Sequence, residues 1–188
     1  MSKLAIPLAA AIFTSSLPAA VARAEPNLCE REMTRAADRH GVPLGMLYAV
    51  GLTETGRGDS LAPYALNIEG RTFYDADKAQ ALRRFESARA AGAKLIDVGC
   101  MQINHHFHGR HFASVEAMLE PAANVDYAAR FLKQLKAREG SWTLAVARYH
   151  AGPDNDPAQK HYVCRVIANM VATGFGAWTA HSQAFCRP

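Results

Sequence analysis

The sequence predicts a mainly helical α+β fold, in a single domain with a small β element. Its length of 188 residues, with 49% hydrophobic and 20% charged residues, is typical of one globular domain. Six segments carry apolar residues at helical spacing, and only two short segments have the pattern of strands.

The first two predicted helices follow one another closely. Asn27, with Glu30 three positions later, resembles a capping box, so a helix begins there and continues to about His40. The second helix begins at Pro43, which suits a first helical turn, and ends near Gly56. Its apolar face contains Leu44, Leu47 and Tyr48.

One acid lies at an unusual position in the second helix. Glu54 belongs to the last turn, in the stretch "LTETGRGDS". The negative end of the helix macrodipole lies there and disfavours an ionised carboxylate. This position therefore favours a carboxyl group that holds its proton.

The predicted β element consists of two strands with a helix between them. In "YALNIEG", Tyr64, Leu66 and Ile68 alternate with other residues, which indicates a short strand. A helix over about residues 75–91 follows, because apolar residues recur at every third position. These residues are Ala79, Leu82, Phe85 and Ala88. The segment "KLIDVGCMQIN" at residues 94–104 predicts the partner strand and a loop.

Three more helices complete the predicted fold. They cover residues 124–138, residues 142–152, and a segment from Pro157 to the glycines at 174 and 176. Their apolar stripes contain Val125, Ala128, Leu132 and Leu135, then Trp142, Ala145, Val146 and Tyr149, and finally Tyr162, Val166, Ile167 and Met170.

The N-terminus has the pattern of a secretory signal peptide. A basic Lys3, an apolar run and the small-residue site Ala22-Arg23-Ala24 predict cleavage after Ala24. A membrane anchor is the alternative, but prolines interrupt a run already short for a span of about 20 apolar residues. We therefore expect residues 1–24 to be a signal peptide and residues 25–188 to form an exported periplasmic domain.

Export determines how cysteine and charge are interpreted. All four cysteines follow the cleavage site, and an even number in an oxidising compartment favours two disulfides over a metal site. Cleavage leaves 19 of the 21 basic residues against 17 acidic ones, a net charge of +2 instead of +4. This scattered charge does not indicate nucleic-acid binding, but it suits an anionic polymer such as the cell wall.

Four polar stretches lie where the helical pattern does not require them. They are "ETG" at Glu54, "GCMQIN" at residues 99–104, "ARYHAG" at residues 147–152 and "QKHYVCRV" at residues 159–166. Each of them alone has an ordinary structural explanation: a helix end, a turn, a second helix end and a buried aromatic residue.

Together and in this order, the four stretches resemble the catalytic domain of the soluble lytic transglycosylases. That family has Glu-Ser-Gly, Gly-Leu-Met-Gln, Ala-Tyr-Asn-Ala-Gly and a tyrosine in a pattern such as Arg-Asn-Tyr-Val. The resemblance covers roughly residues 28–171, and the β element is most similar to the specialised members associated with secretion systems and flagella. It implies a lysozyme-like fold and cleavage of the β-1,4 bond between N-acetylmuramic acid and N-acetylglucosamine.

The resemblance assigns the chemistry to Glu54. Burial and the helix C-terminus would raise its pKa, so that it could protonate the glycosidic oxygen. The resulting carboxylate would then take the proton of the C6 hydroxyl of muramic acid, which closes a 1,6-anhydro ring. The resemblance also implies substrate contacts from Thr55, Met101, Gln102, Tyr149, His150 and Tyr162.

The sequence departs from the family pattern at three positions. Thr55 replaces a serine and Cys100 replaces a leucine, which are mild changes. His150 replaces an asparagine, and a neutral imidazole offers one donor and one acceptor where an amide offers two donors and a carbonyl. The contact that His150 makes with a sugar is therefore open.

Two other classes of function remain as alternatives. A hydrolase such as a goose-type lysozyme shares the fold, and glycosidases commonly need a second carboxylate. The candidates are Asp59, Glu69 and Asp97, for which we expect loop-shaping roles. A non-catalytic wall-binding assembly factor would have lost the acid, whereas Glu54 is present.

A cluster of histidines raises the possibility of a metal site. His105, His106, His108 and His111 could bind zinc, but no HExxH motif accompanies them and a polar loop after a strand explains them. We expect no metal and no cofactor. The expected partners are peptidoglycan glycan strands and an assembly component of an envelope apparatus, with the protein itself a monomer.

The pairing of the cysteines follows from the helix pair together with the resemblance. Two antiparallel helices bring Cys29 near Glu54, and the resemblance implies that "GCMQ" lies there too. The expected disulfides are Cys29–Cys100 and Cys164–Cys186, among the three pairings that four cysteines allow.

Overall fold

The computed structural model describes residues 27–56, 60–151 and 155–187. The signal peptide predicted at residues 1–24, the candidate Asp59 and the glycine at position 152 lie outside the described residues. The helices are α1 (Leu28–His40), α2 (Leu44–Thr55), α3 (Lys78–Ala90), α4 (His105–His108), α5 (Val115–Met118), α6 (Pro121–Glu139), α7 (Trp142–His150), α8 (Asp156–Ala172) and α9 (Ala180–Cys186). The strands are β1 (Ala65–Ile68), β2 (Arg71–Tyr74), β3 (Ile96–Val98) and β4 (Ile103–Asn104).

The capping box at the start of α1 is present. The Asn27 side chain accepts from the Glu30 amide at 3.1 Å, and the Glu30 carboxylate accepts from the Asn27 amide at 3.2 Å. Together these bonds satisfy two of the amides that a helix start leaves unpaired. The helix ends at His40, as predicted.

Helix α2 passes through the core and positions the acid of its last turn. Leu47, Ala49 and Val50 have no exposed surface, and they lie on different sides of the helix. A helix that is apolar nearly all round is buried by its neighbours, and α2 packs on both α1 and α8. Glu54 therefore lies where a buried helix reaches the surface of the core.

The β element is a four-stranded antiparallel sheet in the order β2-β1-β3-β4. The pairing of β1 with β3 agrees with the prediction, but β2 was not predicted because its side chains are mostly exposed and do not alternate in burial. Glu69 lies in the turn between β1 and β2, with a φ of 48°, and not on a strand as predicted. Its carboxylate accepts from the amides of Lys94 and Leu95 at 2.7 and 3.0 Å.

Helix α3 is shorter than predicted and buries only part of the predicted stripe. It begins after the cap residue Asp77, and its buried residues are Ala81 and Phe85. Ala79 is exposed, contrary to the expected spacing of three. A strict spacing of three drifts around a helix with 3.6 residues per turn, so only part of the predicted stripe faces the sheet.

The C-terminal helices form the second half of the core. Helix α6 begins at Pro121, earlier than predicted, and buries the expected stripe of Val125, Ala128, Leu132 and Leu135. It packs on α1 and α7, and α7 packs on α8. None of the helices in the described ranges combines the length and the apolar character needed to span a membrane.

Two disulfides fasten the ends of this core. Cys29–Cys100 joins the start of α1 to the loop before β4, and both residues are fully buried. Cys164–Cys186 joins α8 to α9. These are the two pairs expected from the helix pair together with the family resemblance.

Removal of the two disulfides should lower the stability by different amounts. The first closes 71 residues of chain and the second 22 residues, so chain entropy predicts losses of about 4 and about 3 kcal/mol in the free energy of unfolding. Urea unfolding of Cys29→Ala/Cys100→Ala and Cys164→Ala/Cys186→Ala would measure both losses. Peptide mapping without reductant should recover the same two pairs, and a larger loss for the second variant would contradict this account.

Candidate active site

A cleft of about 550 Å³ lies between the sheet and helices α2, α7 and α8. It brings together residues from all four polar stretches of the sequence. These residues include Glu54, Gln102, Tyr149, His150 and Arg165, with Asp97 and Asn104 from the sheet. A larger cavity of about 760 Å³, beside α1 and Phe175, contains none of the predicted site residues.

The carboxyl group of Glu54 is held by Tyr162. The Tyr162 hydroxyl donates to Glu54 Oε1 at 2.6 Å, and Tyr162 is 1% exposed. Burial raises the pKa of Glu54 to about 7, which is the largest effect on this group. The Tyr162 hydrogen bond and the charge of Arg165 lower that pKa, while the charge of Asp97 raises it. Glu54 therefore carries its proton in a large fraction of molecules at neutral pH.

The last two residues of α7, Tyr149 and His150, both line the cleft. The Tyr149 hydroxyl donates to the Met101 carbonyl at 2.8 Å, and burial raises the pKa of Tyr149 well above its usual value. The His150 ring stacks on Tyr162 with 4.2 Å between centroids and 3° between planes. Burial lowers the pKa of His150, so a neutral imidazole covers the tyrosine that holds Glu54.

The loop of residues 99–102 is fastened to α6 by the side chain of Asn124, which has no exposed surface. Asn124 Oδ1 accepts from the Met101 amide at 2.9 Å, and its Nδ2 donates to the Val98 carbonyl at 2.8 Å. Gly99 has a φ of 77°, and a Cβ there would lie 2.7 Å from Asn124 Nδ2. Both the backbone conformation and the close approach therefore require glycine at this position.

Gln102 faces the cleft from this loop, with a φ of 43°. Its Nε2 donates to the carbonyls of Ala65 and Gly99 at 3.1 and 3.0 Å. Because both acceptors take its amide hydrogens, the group that Gln102 can offer to a ligand is its carbonyl oxygen.

Three of the predicted substrate contacts lie behind the cleft: Thr55, Met101 and Tyr162, whose hydroxyl is bonded to Glu54. Thr55 is 1% exposed, and its hydroxyl is bonded to the carbonyls of Gly51 and Cys100 at 3.1 and 3.3 Å. Thr55 thus holds the 99–102 loop against α2, in contrast to the expected contact with substrate. Met101 is fully buried beneath the cleft and presents its backbone to Tyr149.

The candidate second carboxylates lie in different places. Asp97 lines the cleft, and its Oδ1 accepts from Asn104 Nδ2 at 2.7 Å across the β3–β4 pair. Burial raises the pKa of Asp97. Glu69 lies in its turn outside the cleft. Of the two candidates within the described residues, Asp97 is therefore the one that shares a cleft with Glu54.

The histidine cluster packs on aromatic residues. His105 lies edge-on to Phe85, a ring nitrogen of His108 is 2.8 Å from the Tyr127 hydroxyl, and His111 stacks on Tyr127. These histidines lie in α4 and the following helical turn, not in the polar loop that was predicted. Across the described ranges, no group of three or more His, Cys, Asp or Glu side chains is arranged to hold a metal ion.

Among the residues that the sequence analysis missed, Arg165 and Asn124 bear most directly on the site. Arg165 lines the cleft, and its Nη2 donates to the Thr53 carbonyl at 2.9 Å. It follows Tyr162 by three positions on a helix, so the two lie on one face, a spacing that could have indicated it. Asn124 had no comparable signal, because the loop that it holds lies more than 20 positions away in sequence.

Two substitutions should shift the pKa of Glu54 in opposite directions. Tyr162→Phe removes a hydrogen bond that favours the ionised form, so the pKa should rise above about 7. Asp97→Asn removes a negative charge, so the pKa should fall. Titration of the Glu54 carboxyl carbon by ¹³C NMR measures both shifts, and shifts of the same sign would refute this electrostatic account.

Comparison with known proteins places the chain in a family. The family model of the transglycosylase SLT domain matches residues 33–166, a range that contains Glu54, the 99–102 loop, Tyr149 and Tyr162. Neither a search of curated proteins nor a search of solved structures gives a significant match. The match and the mainly helical α+β architecture confirm the predicted lysozyme-like fold class. The chain therefore belongs to the transglycosylase SLT domain family.

Proposed function

We propose that this protein is a peptidoglycan lytic transglycosylase that cleaves the β-1,4 bond between N-acetylmuramic acid and N-acetylglucosamine. The observation that carries the proposal is a carboxyl group with a pKa of about 7 at the wall of a cleft, bonded to a buried tyrosine. Membership of the transglycosylase SLT family supports peptidoglycan as the substrate.

In the first step, protonated Glu54 acts as the general acid. It gives its proton to the glycosidic oxygen while the bond from C1 of muramic acid to that oxygen breaks. N-acetylglucosamine leaves with a hydroxyl group, and positive charge develops at C1. A general acid works best when its pKa lies near the working pH, which suits the value of about 7.

In the second step, the same group acts as the base. The Glu54 carboxylate takes the proton of the C6 hydroxyl of muramic acid, whose oxygen forms a bond with C1. The proton given in the first step is thereby restored, and no water is consumed. Well-oriented intramolecular groups reach effective molarities of about 10⁵ M or more, so the C6 hydroxyl can compete with water.

Tyr162 serves both steps in this proposal. Its hydroxyl lies 2.6 Å from Glu54 Oε1 and donates to the carboxylate that forms after the first step. Burial keeps the pKa of Tyr162 well above its usual value, so the hydroxyl remains a donor. We assign substrate contacts to the Gln102 carbonyl oxygen and to His150 at the cleft wall, with Tyr149 positioning the loop below.

Asp97 supports a second candidate function, hydrolysis of the goose-type lysozyme kind. It lines the same cleft as Glu54 and could accept a proton from water. However, one of its oxygens is already occupied by Asn104, and burial raises the pKa of Asp97 and so disfavours the carboxylate. We therefore favour the intramolecular reaction, in which Asp97 is not a base.

The proposal extends to the location of the protein. Two disulfides and a peptidoglycan substrate suit export to the periplasm, with the signal peptide removed after Ala24. The resemblance to secretion-associated and flagellar members supports local wall remodelling by a monomer during assembly of an envelope-spanning apparatus. Glu54 distinguishes this function from a non-catalytic wall-binding factor, which would not need an acid.

Replacement of the acid tests the catalytic assignment. Glu54→Gln keeps the shape of the side chain but removes its proton, and loss of one general acid costs about 10² to 10⁴ in rate. Since Glu54 would act twice, we expect a loss at the upper end of this range in digestion of purified sacculi. The matched control is Glu86→Gln, an exposed acid of α3 outside the cleft, which should digest at the wild-type rate.

The stability of the Glu54→Gln variant shows whether its loss of activity comes from the missing proton or from a damaged fold. The raised pKa means that the folded state holds a proton between pH 4.5 and about 7 that the unfolded state has released. Wild-type stability therefore falls as the pH rises through this window. The Gln variant lacks this loss and should be at least as stable at pH 8. An inactive but less stable variant, or an active one, would count against the assignment.

The product separates the two candidate functions. Intramolecular attack gives muropeptides that end in 1,6-anhydro-N-acetylmuramic acid, each lighter by one water than a hydrolysis product and without a reducing end. Mass spectrometry of digested sacculi should find mainly these products, both for the wild type and for Asp97→Asn. Mainly reducing ends, lost in Asp97→Asn, would instead identify a hydrolase with Asp97 as the base.

A further inference from the structure

The imidazole of His150 lies against the tyrosine that holds the proposed acid. Its ring and the Tyr162 ring are parallel to within 3°, with 4.2 Å between their centroids. The Tyr162 hydroxyl is in turn 2.6 Å from Glu54 Oε1. A single ring therefore separates His150 from the hydrogen bond of Glu54, and a charge on the imidazole would lie close to the reacting carboxyl group.

His150 can exchange a proton with solvent at the cleft wall. Although Tyr162 covers one face of its ring, the residue lines the cleft and is exposed. Burial of part of the ring, together with the charges of Arg165 and His161, lowers the pKa of His150 below its usual value of 6.5. The imidazole is thus neutral at neutral pH and becomes a cation in acid.

The surroundings of His150 contain groups of both charges. Among the described residues, the charged or titratable groups that line the cleft with it, or act on its ring from α8, are Glu54 from α2, Tyr74 and Asp97 from the sheet, His108 from α4, Tyr149 from its own helix, and His161, Tyr162 and Arg165.

A cation at His150 would oppose both steps of the proposed reaction. In the first step, positive charge develops at C1 of muramic acid beside Glu54, and a fixed positive charge nearby raises the energy of that state. In the second step, the Glu54 carboxylate must take a proton. A nearby cation favours the ionised carboxylate and so makes it a weaker base, the direction in which Arg165 already acts on the pKa of Glu54.

We propose that cleavage requires the neutral form of His150, and that protonation of this imidazole, stacked on Tyr162, stops cleavage as the pH falls. This inference rests on the proposed function, because it concerns the two steps assigned to Glu54. His150 is a positioning residue in this role: it acts through the surroundings of Glu54 and transfers no proton to the substrate.

The pH dependence of cleavage should therefore have two limbs. Cleavage falls as the pH rises through the pKa of Glu54, about 7, because the acid loses its proton. It also falls as the pH drops through the pKa of His150, which lies below 6.5, because the imidazole gains one. On the acid limb, kcat/KM should decrease about tenfold for each pH unit.

Kinetics on soluble glycan strands between about pH 4.5 and pH 8.5 would measure both limbs. The pKa of the acid limb of kcat/KM should equal the pKa of His150 in the free enzyme, read from the ¹H NMR signal of its ring Cε1 proton. The acid limb should appear in kcat as well, because the cation slows the chemical steps themselves.

Replacement of the imidazole should remove the acid limb. In His150→Asn, an amide can bond a sugar but does not titrate in this range, and asparagine is the residue of the family pattern. The alkaline limb at about 7 should remain, since Glu54 sets it. The matched control is His108→Asn, at a cleft histidine whose ring contacts Tyr127 and Phe131. This variant should keep the acid limb of the wild type.

Each other outcome rejects the inference in a recognisable way. An acid limb that persists in His150→Asn, or disappears in His108→Asn, would belong to another group. A limb confined to KM would mean that His150 only contacts the sugar, and loss of the far-UV circular dichroism of the wild type over the same pH range would assign the limb to unfolding. If the wild type cleaves at no pH, the proposed function itself fails; if it cleaves without an acid limb, only the role of His150 is rejected.

Discussion

The buried amide of Asn124 holds the loop of residues 99–102, and the geometry of the cleft depends on this interaction. The side chain bonds the Met101 amide and the carbonyls of Val98 and Met118 while it has no contact with solvent. A buried polar group that loses its partner costs about 1–3 kcal/mol, so removal of this one amide would leave several backbone groups unpaired. The loop has little freedom to adopt another conformation.

The same short loop is fastened to three other helices. A disulfide joins Cys100 to α1, the Thr55 hydroxyl bonds the Cys100 carbonyl from α2, and the Tyr149 hydroxyl bonds the Met101 carbonyl from α7. Helices that are far apart in sequence therefore meet at one segment. Since Gln102 belongs to that segment and Glu54 precedes Thr55, the position of the acid relative to its cleft is fixed by contacts that also stabilise the fold.

The features that could be predicted are those with local causes. The capping box at Asn27 and the stripe of α6 follow from residues a few positions apart, and the position of Glu54 at a helix end was equally local. Strand β2 could not be predicted, because exposed side chains leave no pattern of burial. The roles of Asn124 and Thr55 depend on partners 23 and 45 positions away. Such contacts leave no periodic signal in a single sequence.

The environment of Glu54 is a balance of opposing effects on one pKa. Burial and the charge of Asp97 raise it, whereas Tyr162 and Arg165 lower it, and the result is about 7. Burial without the Tyr162 hydrogen bond and the Arg165 charge would favour the protonated carboxyl group more strongly and so make it a weaker base. The hydrogen bond and the positive charge without burial would favour the ionised carboxylate, which has no proton to donate. The proposed role of Glu54, first as acid and then as base, needs both states at similar free energy, and Tyr162 and Arg165 on α8 supply the part of this balance that burial cannot.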